Sequence, residues 1–151
     1  MVKRALVFLV GAAFVLSLAG IGFAAEGAPP PLNPKVKAMV DSARGAIKLV
    51  SADAVKKALD SKEKAICLDV RDPGEFAAGH LPGALNISRG TLEFMVFNKI
   101  ADQNAKIYVY CKTKGRSAMA TKTLNDLGYK NAVLMDAMYE DWVKAGYPVE
   151  R

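Results

Sequence analysis

The chain has 151 residues, 52% of them apolar, with 21 basic against 15 acidic side chains and a formal net charge of +6. The basic residues are dispersed and form no run interleaved with aromatics, which excludes nucleic-acid binding and leaves small anionic ligands open through local charge. The 2 cysteines and the single histidine stand at no metal-ligand spacing, so neither a metal nor another cofactor is expected.

The chain opens with MVKR and then an apolar run ending in small residues, a pattern that predicts a secretory signal over 1–24. Gly22, Phe23 and Ala24 place cleavage after Ala24, with Ala25 the next candidate. No cysteine lies near that site, which excludes lipid attachment there. An uncleaved anchor is the alternative, and membrane contact is expected only in that case. Removing 24 of the 151 residues leaves 127, enough for one domain with a single core and too few for two. The expected location is the bacterial periplasm. Residues 25–34 are proline-rich and read as an extended linker, with the domain following over 35–151.

From Lys35 the spacing of Val36, Met39, Val40 and Ala43 predicts a helix that buries those residues and stops at Gly45. A strand over 47–50 follows, then Ser51 as an N-cap and a helix over 52–59 with Ala54, Val55, Ala58 and Leu59 inward. The run 65–69 is the next strand, with a short helix beyond it opened by Pro73 and closed by Gly79. Strands over 84–87, 107–110 and 132–135 alternate with helices over 91–100, 116–127 and 139–145, the last two closed by Gly128 and Gly146. This alternation defines an α/β fold, a parallel five-stranded sheet with helices on both faces. In such sheets ligands sit beyond the carboxyl ends of the strands, which collects Asp69, Arg71, Asn86, Cys111 and Asp136 as candidates for one site.

The segment IYVYCKTKGRSAMATKTL over 107–124 carries the chemistry. An apolar strand runs into Cys111, Gly115 is expected to allow the sharp turn, and the following helix brings its positive end to the sulfur. Lys112, Lys114 and Arg116 surround that thiol with positive charge, a field that favours thiolate. The amides of Lys112, Thr113, Lys114, Gly115, Arg116 and Ser117 are expected to form an anion cradle. Cys67 lies inside the continuous apolar run AICLDV and reads as core filler, so no disulfide with Cys111 is expected.

The stretch LDVRDPGEFAAGHLPGALNI over 68–87, followed by YCKTKGRSA and ending in WVKAGYPVE, resembles the single-domain rhodanese family. The resemblance spans 47–150. It implies a sulfurtransferase in which Cys111 takes a sulfane sulfur from thiosulfate or a related donor, becomes a persulfide and passes the sulfur to a thiophilic acceptor. It implies that loop residues Lys112 to Ser117 bind the donor, with Arg116 contacting an oxyanion. Asp69 and Arg71 are expected to pair beneath the site, with Glu75 extending their network. His80 is expected to brace a turn and Trp142 to sit in the core.

Two positions depart from the family pattern. Lys114 stands where glycine is common, with the glycine one place later, and Ala137 and Met138 replace a frequent glycine pair. Met138 is expected to narrow the pocket. Partners implied by the resemblance are a small anionic donor, a thiophilic acceptor and an exported sulfur-metabolising protein. A low-turnover persulfide carrier or docking module is the alternative function. Related folds act as phosphatases and arsenate reductases, but their signature needs five residues between cysteine and arginine, and here there are four.

Overall fold

The computed structural model describes residues 31–151; the expected export signal and the linker through residue 30 lie outside the described residues. Five apolar runs pair into one sheet: β1 (Leu49–Val50), β2 (Ala65–Asp69), β3 (Leu85–Asn86), β4 (Lys106–Tyr110) and β5 (Ala132–Met135). Their order is β1-β5-β4-β2-β3 and every pairing is parallel. Asp69 lies opposite both Tyr110 and Asn86, and Val50 lies opposite Met135. The strands therefore end nearly level, and the loops after them open on one edge.

Alternation along the strands sorts side chains into two cores. Leu68, Val70, Ile107, Val109 and Cys111 point to one face, where α4 (Leu92–Lys99) contributes Leu92 and Val96 and α5 (Gly115–Asp126) contributes Ala120 and Leu124. Cys67, Tyr108, Tyr110, Val133 and Met135 point to the other, against Val55 and Ala58 of α2 (Ala52–Asp60) and Trp142 of α6 (Tyr139–Lys144). Trp142 is fully buried and donates from Nε1 to the Pro148 carbonyl at 2.9 Å. Burying each large apolar side chain in these layers contributes about 2 kcal/mol.

Local signals set most boundaries. The Ser51 hydroxyl accepts the Ala54 N–H at 3.2 Å and caps α2. Pro73 occupies the first turn of α3 (Pro73–Ala78). The helix expected over 91–100 is preceded by a 3₁₀ turn, Arg89–Thr91, before α4 begins. Ala54 is exposed, while Val55 and Ala58 are buried and Leu59 packs half-buried beside them.

Helix α1 (Pro34–Gly45) is capped by the Asn33 side chain, which accepts the Lys35 N–H at 2.9 Å. Its apolar stripe is only partly covered: Ala43 is buried and Val40 half-buried, while Val36 and Met39 are exposed. The reason is placement. The helix packs on α5 and so meets the domain along one line of residues, not across the sheet. Gly45 is its last helical residue, and the cap is Ala46, whose N–H bonds the Ala43 carbonyl.

Candidate active site

Cys111 follows β4 directly, and its side chain continues the alternation of Ile107 and Val109 toward α5. The residue is fully buried. Its Sγ accepts the Ser117 N–H at 3.3 Å and lies 3.2 Å from Ser117 Oγ. That hydroxyl is also 3.1 Å from the Lys114 carbonyl, to which it donates. A hydroxyl has one proton, so with the sulfur as thiol the S–H donates to Oγ and the Oγ–H to Lys114. Once the sulfur is an anion, the same hydroxyl can turn to donate to it. The positive end of α5 thus meets the sulfur through the amide and the hydroxyl of a single residue.

The sharp turn of the loop falls on Lys114, not on Gly115. Lys114 has φ 71° and ψ −17°, the left-handed conformation that glycine adopts freely and a lysine adopts at a cost of about 1 kcal/mol. Gly115 begins α5 with ordinary helical backbone, and a Cβ there would meet only Val40 Cγ2 of α1, at 3.8 Å. The shifted glycine therefore leaves the left-handed position to a residue with a side chain.

That side chain is held. Lys114 Nζ lies 3.5 Å from Asp136 Oδ1, just beyond β5, and Arg44 Nη2 of α1 donates to the same oxygen at 2.9 Å. Burial would raise the Asp136 carboxyl, but its hydrogen bond and charge pairing with Arg44 and Lys114 hold it below the usual range. Lys112 and Thr113 are exposed at the loop tip.

Arg116 is also engaged. Its Nη1 donates to Glu75 Oε2 at 2.6 Å and its Nη2 to Oε1 at 2.9 Å, with Asp72 Oδ2 3.3 Å from Nη1. The Arg116 hydrogen bonds hold the Glu75 carboxyl below its ordinary value, and Glu75 in turn raises Arg116. Glu75 therefore joins the cysteine loop to α3, not to the Asp69–Arg71 pair as its place in the sequence suggests.

Asp69 and Arg71 pair as expected. Asp69 accepts Arg71 Nε at 2.9 Å and Nη2 at 2.6 Å on Oδ2, and the Arg71 N–H at 2.9 Å on Oδ1. Burial would lower the Arg71 guanidinium, but the hydrogen bond and charge of Asp69, together with Tyr110 and Tyr139, outweigh it and raise it. Arg71 also donates to the Gly79 carbonyl at 2.6 Å and stacks 3.9 Å from the Tyr139 ring centre. Asn86 Nδ2 donates to the carbonyls of Asp69 and Arg71 at 3.0 Å each, tying β3 into the same floor. A Cβ on Gly79 would fall 2.6 Å from the Tyr139 hydroxyl, so this position admits only glycine unless the tyrosine moves. The Tyr139 N–H bonds the Cys111 carbonyl at 3.2 Å, and Met138 is half-buried beside it.

Of the remaining residues, His80 stacks on Phe76 at 3.8 Å and bonds its carbonyl through Nδ1 at 3.0 Å, a turn brace. Cys67 is a free thiol, and burial pushes it up to about 11. Arg44 and Tyr139 are site residues that local sequence reading does not single out. Arg44 reaches Asp136 across 92 positions, and no short motif carries that pairing.

A buried cysteine at the end of a central parallel strand, in a cationic loop that enters a helix, defines a cysteine-loop α/β domain. The family model for the rhodanese-like domain matches residues 51–145, and the chain belongs to the rhodanese family. It is 33% identical over 93 residues to the putative sulfur carrier protein YrkF of Bacillus subtilis, covering 62% of this chain but only 49% of that relative. It is 35% identical over 92 residues to the thiosulfate sulfurtransferase GlpE of Pseudomonas putida, covering 61% of this chain and 81% of GlpE. Among solved structures, a Rhodopseudomonas palustris protein described as a possible tyrosine phosphatase superposes with TM-score 0.72 at 29% identity, covering 82% of this chain and all of that one.

Proposed function

We propose that this rhodanese-type sulfurtransferase moves a sulfane sulfur from thiosulfate or a related anionic donor to a thiophilic acceptor through a persulfide on Cys111. The observation that carries the reading is the Ser117 N–H aimed at Cys111 Sγ at 3.3 Å, inside a loop with three cationic side chains. In the first step the Cys111 thiolate attacks the outer sulfur of thiosulfate. The donor S–S bond breaks, and sulfite leaves with its electron pair. The new persulfide carries the negative charge on its terminal sulfur, where the Ser117 amide and the turned Ser117 hydroxyl donate to it. In the second step the acceptor, a thiolate or cyanide, attacks that terminal sulfur, and Cys111 leaves as thiolate. No general base is required, in keeping with the bracing role of His80.

The loop length separates this chemistry from phosphate-ester hydrolysis. Four residues stand between Cys111 and Arg116, where the cysteine phosphatase signature requires five, and Ser117 stands at that arginine's place. The covered Cys111 favours a small donor over a phosphorylated side chain.

The test is mass spectrometry of the protein after one equivalent of thiosulfate, together with steady-state turnover using cyanide. The reading requires one extra sulfur on the Cys111 peptide and continuous turnover, both lost in Cys111→Ser. Stoichiometric loading without turnover would identify a persulfide carrier instead. We further infer export to the bacterial periplasm from the charged and apolar residues at 1–24, with cleavage after Ala24. Amino-terminal sequencing of the mature protein tests it, and a retained Met1 or Val2 in the membrane fraction would make 25–34 a stalk.

A further inference from the structure

The residues that match the family begin at 51, yet the cysteine loop is held from outside that range. Arg44, in the last turn of α1, donates to Asp136 Oδ1 at 2.9 Å, and Lys114 Nζ lies 3.5 Å from the same oxygen. One carboxylate thus bridges an arginine of α1 and the one residue of the loop whose backbone is left-handed. Arg44 makes this contact at a cost, since its Nη1 is buried without a hydrogen-bond partner among the described residues. Val40, one helical turn before Arg44, lies 3.8 Å from the Cβ position of Gly115, so α1 meets the loop directly at Val40 and, one turn on, through Asp136 at Arg44.

We propose that Arg44 is a positioning residue for the reaction: through Asp136 it tethers the Lys114 side chain and so keeps the loop from Cys111 to Ser117 in the conformation that aims the Ser117 amide at the sulfur. The logic is local. A left-handed lysine relaxes toward ordinary backbone unless its side chain is held, and relaxation at Lys114 displaces the carbonyl that orients the Ser117 hydroxyl. A glycine at 114 needs no such tether. Two arginines of the site then have separate duties in holding the loop: Arg116 joins it to α3 through Glu75, and Arg44 joins it to α1 through Asp136.

This inference rests on Cys111 as the sulfur-carrying residue, and its test is read without any sulfur donor. The rate of Cys111 alkylation by iodoacetamide at neutral pH, and hydrogen exchange of the Ser117 amide, are measured in wild type, Arg44→Ala, Asp136→Asn, Lys114→Gly and the two double variants carrying Lys114→Gly. A tether predicts that Arg44→Ala and Asp136→Asn both slow alkylation, by about three-fold for a partly exposed ion pair, and both speed exchange. In the Lys114→Gly background each should have an effect below about 1.5-fold, because the held residue is gone. Thermal melting verifies that every variant is folded. If Arg44 and Asp136 acted only through charge, the two variants would change alkylation in opposite directions, and that result overturns the proposal. Equal losses with and without Lys114→Gly also overturn it. Absence of thiosulfate turnover in wild type, with the alkylation pattern intact, would instead overturn the sulfurtransferase reading and leave the tether standing.

Discussion

Glu75 holds Arg116 at both ends of its guanidinium, 2.6 Å from Nη1 and 2.9 Å from Nη2. An oxyanion of the donor must share or displace this carboxylate to reach Arg116. Glu75→Gln should therefore free the guanidinium and lower KM for thiosulfate by about two- to five-fold, an effect of less than about 1 kcal/mol for a partly exposed pair. Arg116→Ala should raise it. If Glu75→Gln raises KM as Arg116→Ala does, the pair serves loop geometry and Arg116 does not contact the donor.

The same pair sets an acid limb of stability. The Glu75 carboxyl is lowered from its ordinary value of 4.5 by Arg116, so its contribution is present above about pH 4.5 and is lost as pH falls through the lower folded value. Glu75→Gln should lower Tm modestly at pH 7 and flatten its decline in this acid range, so that variant and wild type converge at low pH. An unchanged acid limb would show that solvent screens the pair completely.

The buried Asp69–Arg71 pair answers differently to substitution. Both side chains are nearly inaccessible, so removing one partner strands a charge that has several hydrogen bonds to lose. Arg71→Met is expected to cost about 3 kcal/mol in urea denaturation, and Asp69→Asn combined with Arg71→Met less than the sum of the two single changes. Additive losses would mean that the guanidinium acts chiefly through Gly79 and Tyr139, not through Asp69.

The sequence signals that proved readable are those in which a residue and its partner are close along the chain. Ser51 caps the helix it begins, Pro73 opens α3, and Asp69 pairs two residues on with Arg71. The strands were legible because a buried parallel sheet demands continuous apolar runs such as AICLDV. Two kinds of feature escaped. Glu75–Arg116 and Arg44–Asp136 are ion pairs between distant segments, and nothing in either segment encodes the partner. The exposure of Val36 and Met39 depends on α1 seating on α5, which a helical spacing of apolar residues does not convey. The shift of glycine to position 115 was visible, but its consequence, a left-handed Lys114, depends on a loop path fixed at both ends by Cys111 and α5.

The two cysteines should separate cleanly by reactivity. Burial raises the Cys67 thiol to about 11, so iodoacetamide at pH 7 is expected to label one site per folded chain, at Cys111. A thiol raised in the folded state favours folding fully below its ordinary value of 9.0 and loses that advantage as pH rises through about 11. Cys67→Ala should keep sulfur transfer and cost about 1 kcal/mol of stability. Equal labelling of both thiols in the native protein, read by peptide mapping, would contradict the raised Cys67 thiol.

Lys114→Gly sets backbone relief against charge. Glycine accepts φ 71° without the steric cost of a Cβ, so the variant should gain about 0.5–1 kcal/mol after loss of the partly exposed Asp136 pair is counted. For a domain of this size that raises Tm by roughly 2–5 °C. Removing a cation from the loop acts the other way on reactivity, because one positive side chain fewer contributes to the field around the attacking sulfur. The expected pattern is therefore a more stable protein whose Cys111 alkylates more slowly at neutral pH. Raising ionic strength should narrow the reactivity gap between variant and wild type, since salt screens the exposed lysine charge but not the Ser117 amide. If the variant is less stable than wild type, the Asp136–Lys114 contact outweighs the left-handed backbone, and the conformation of the loop is set by its side chains.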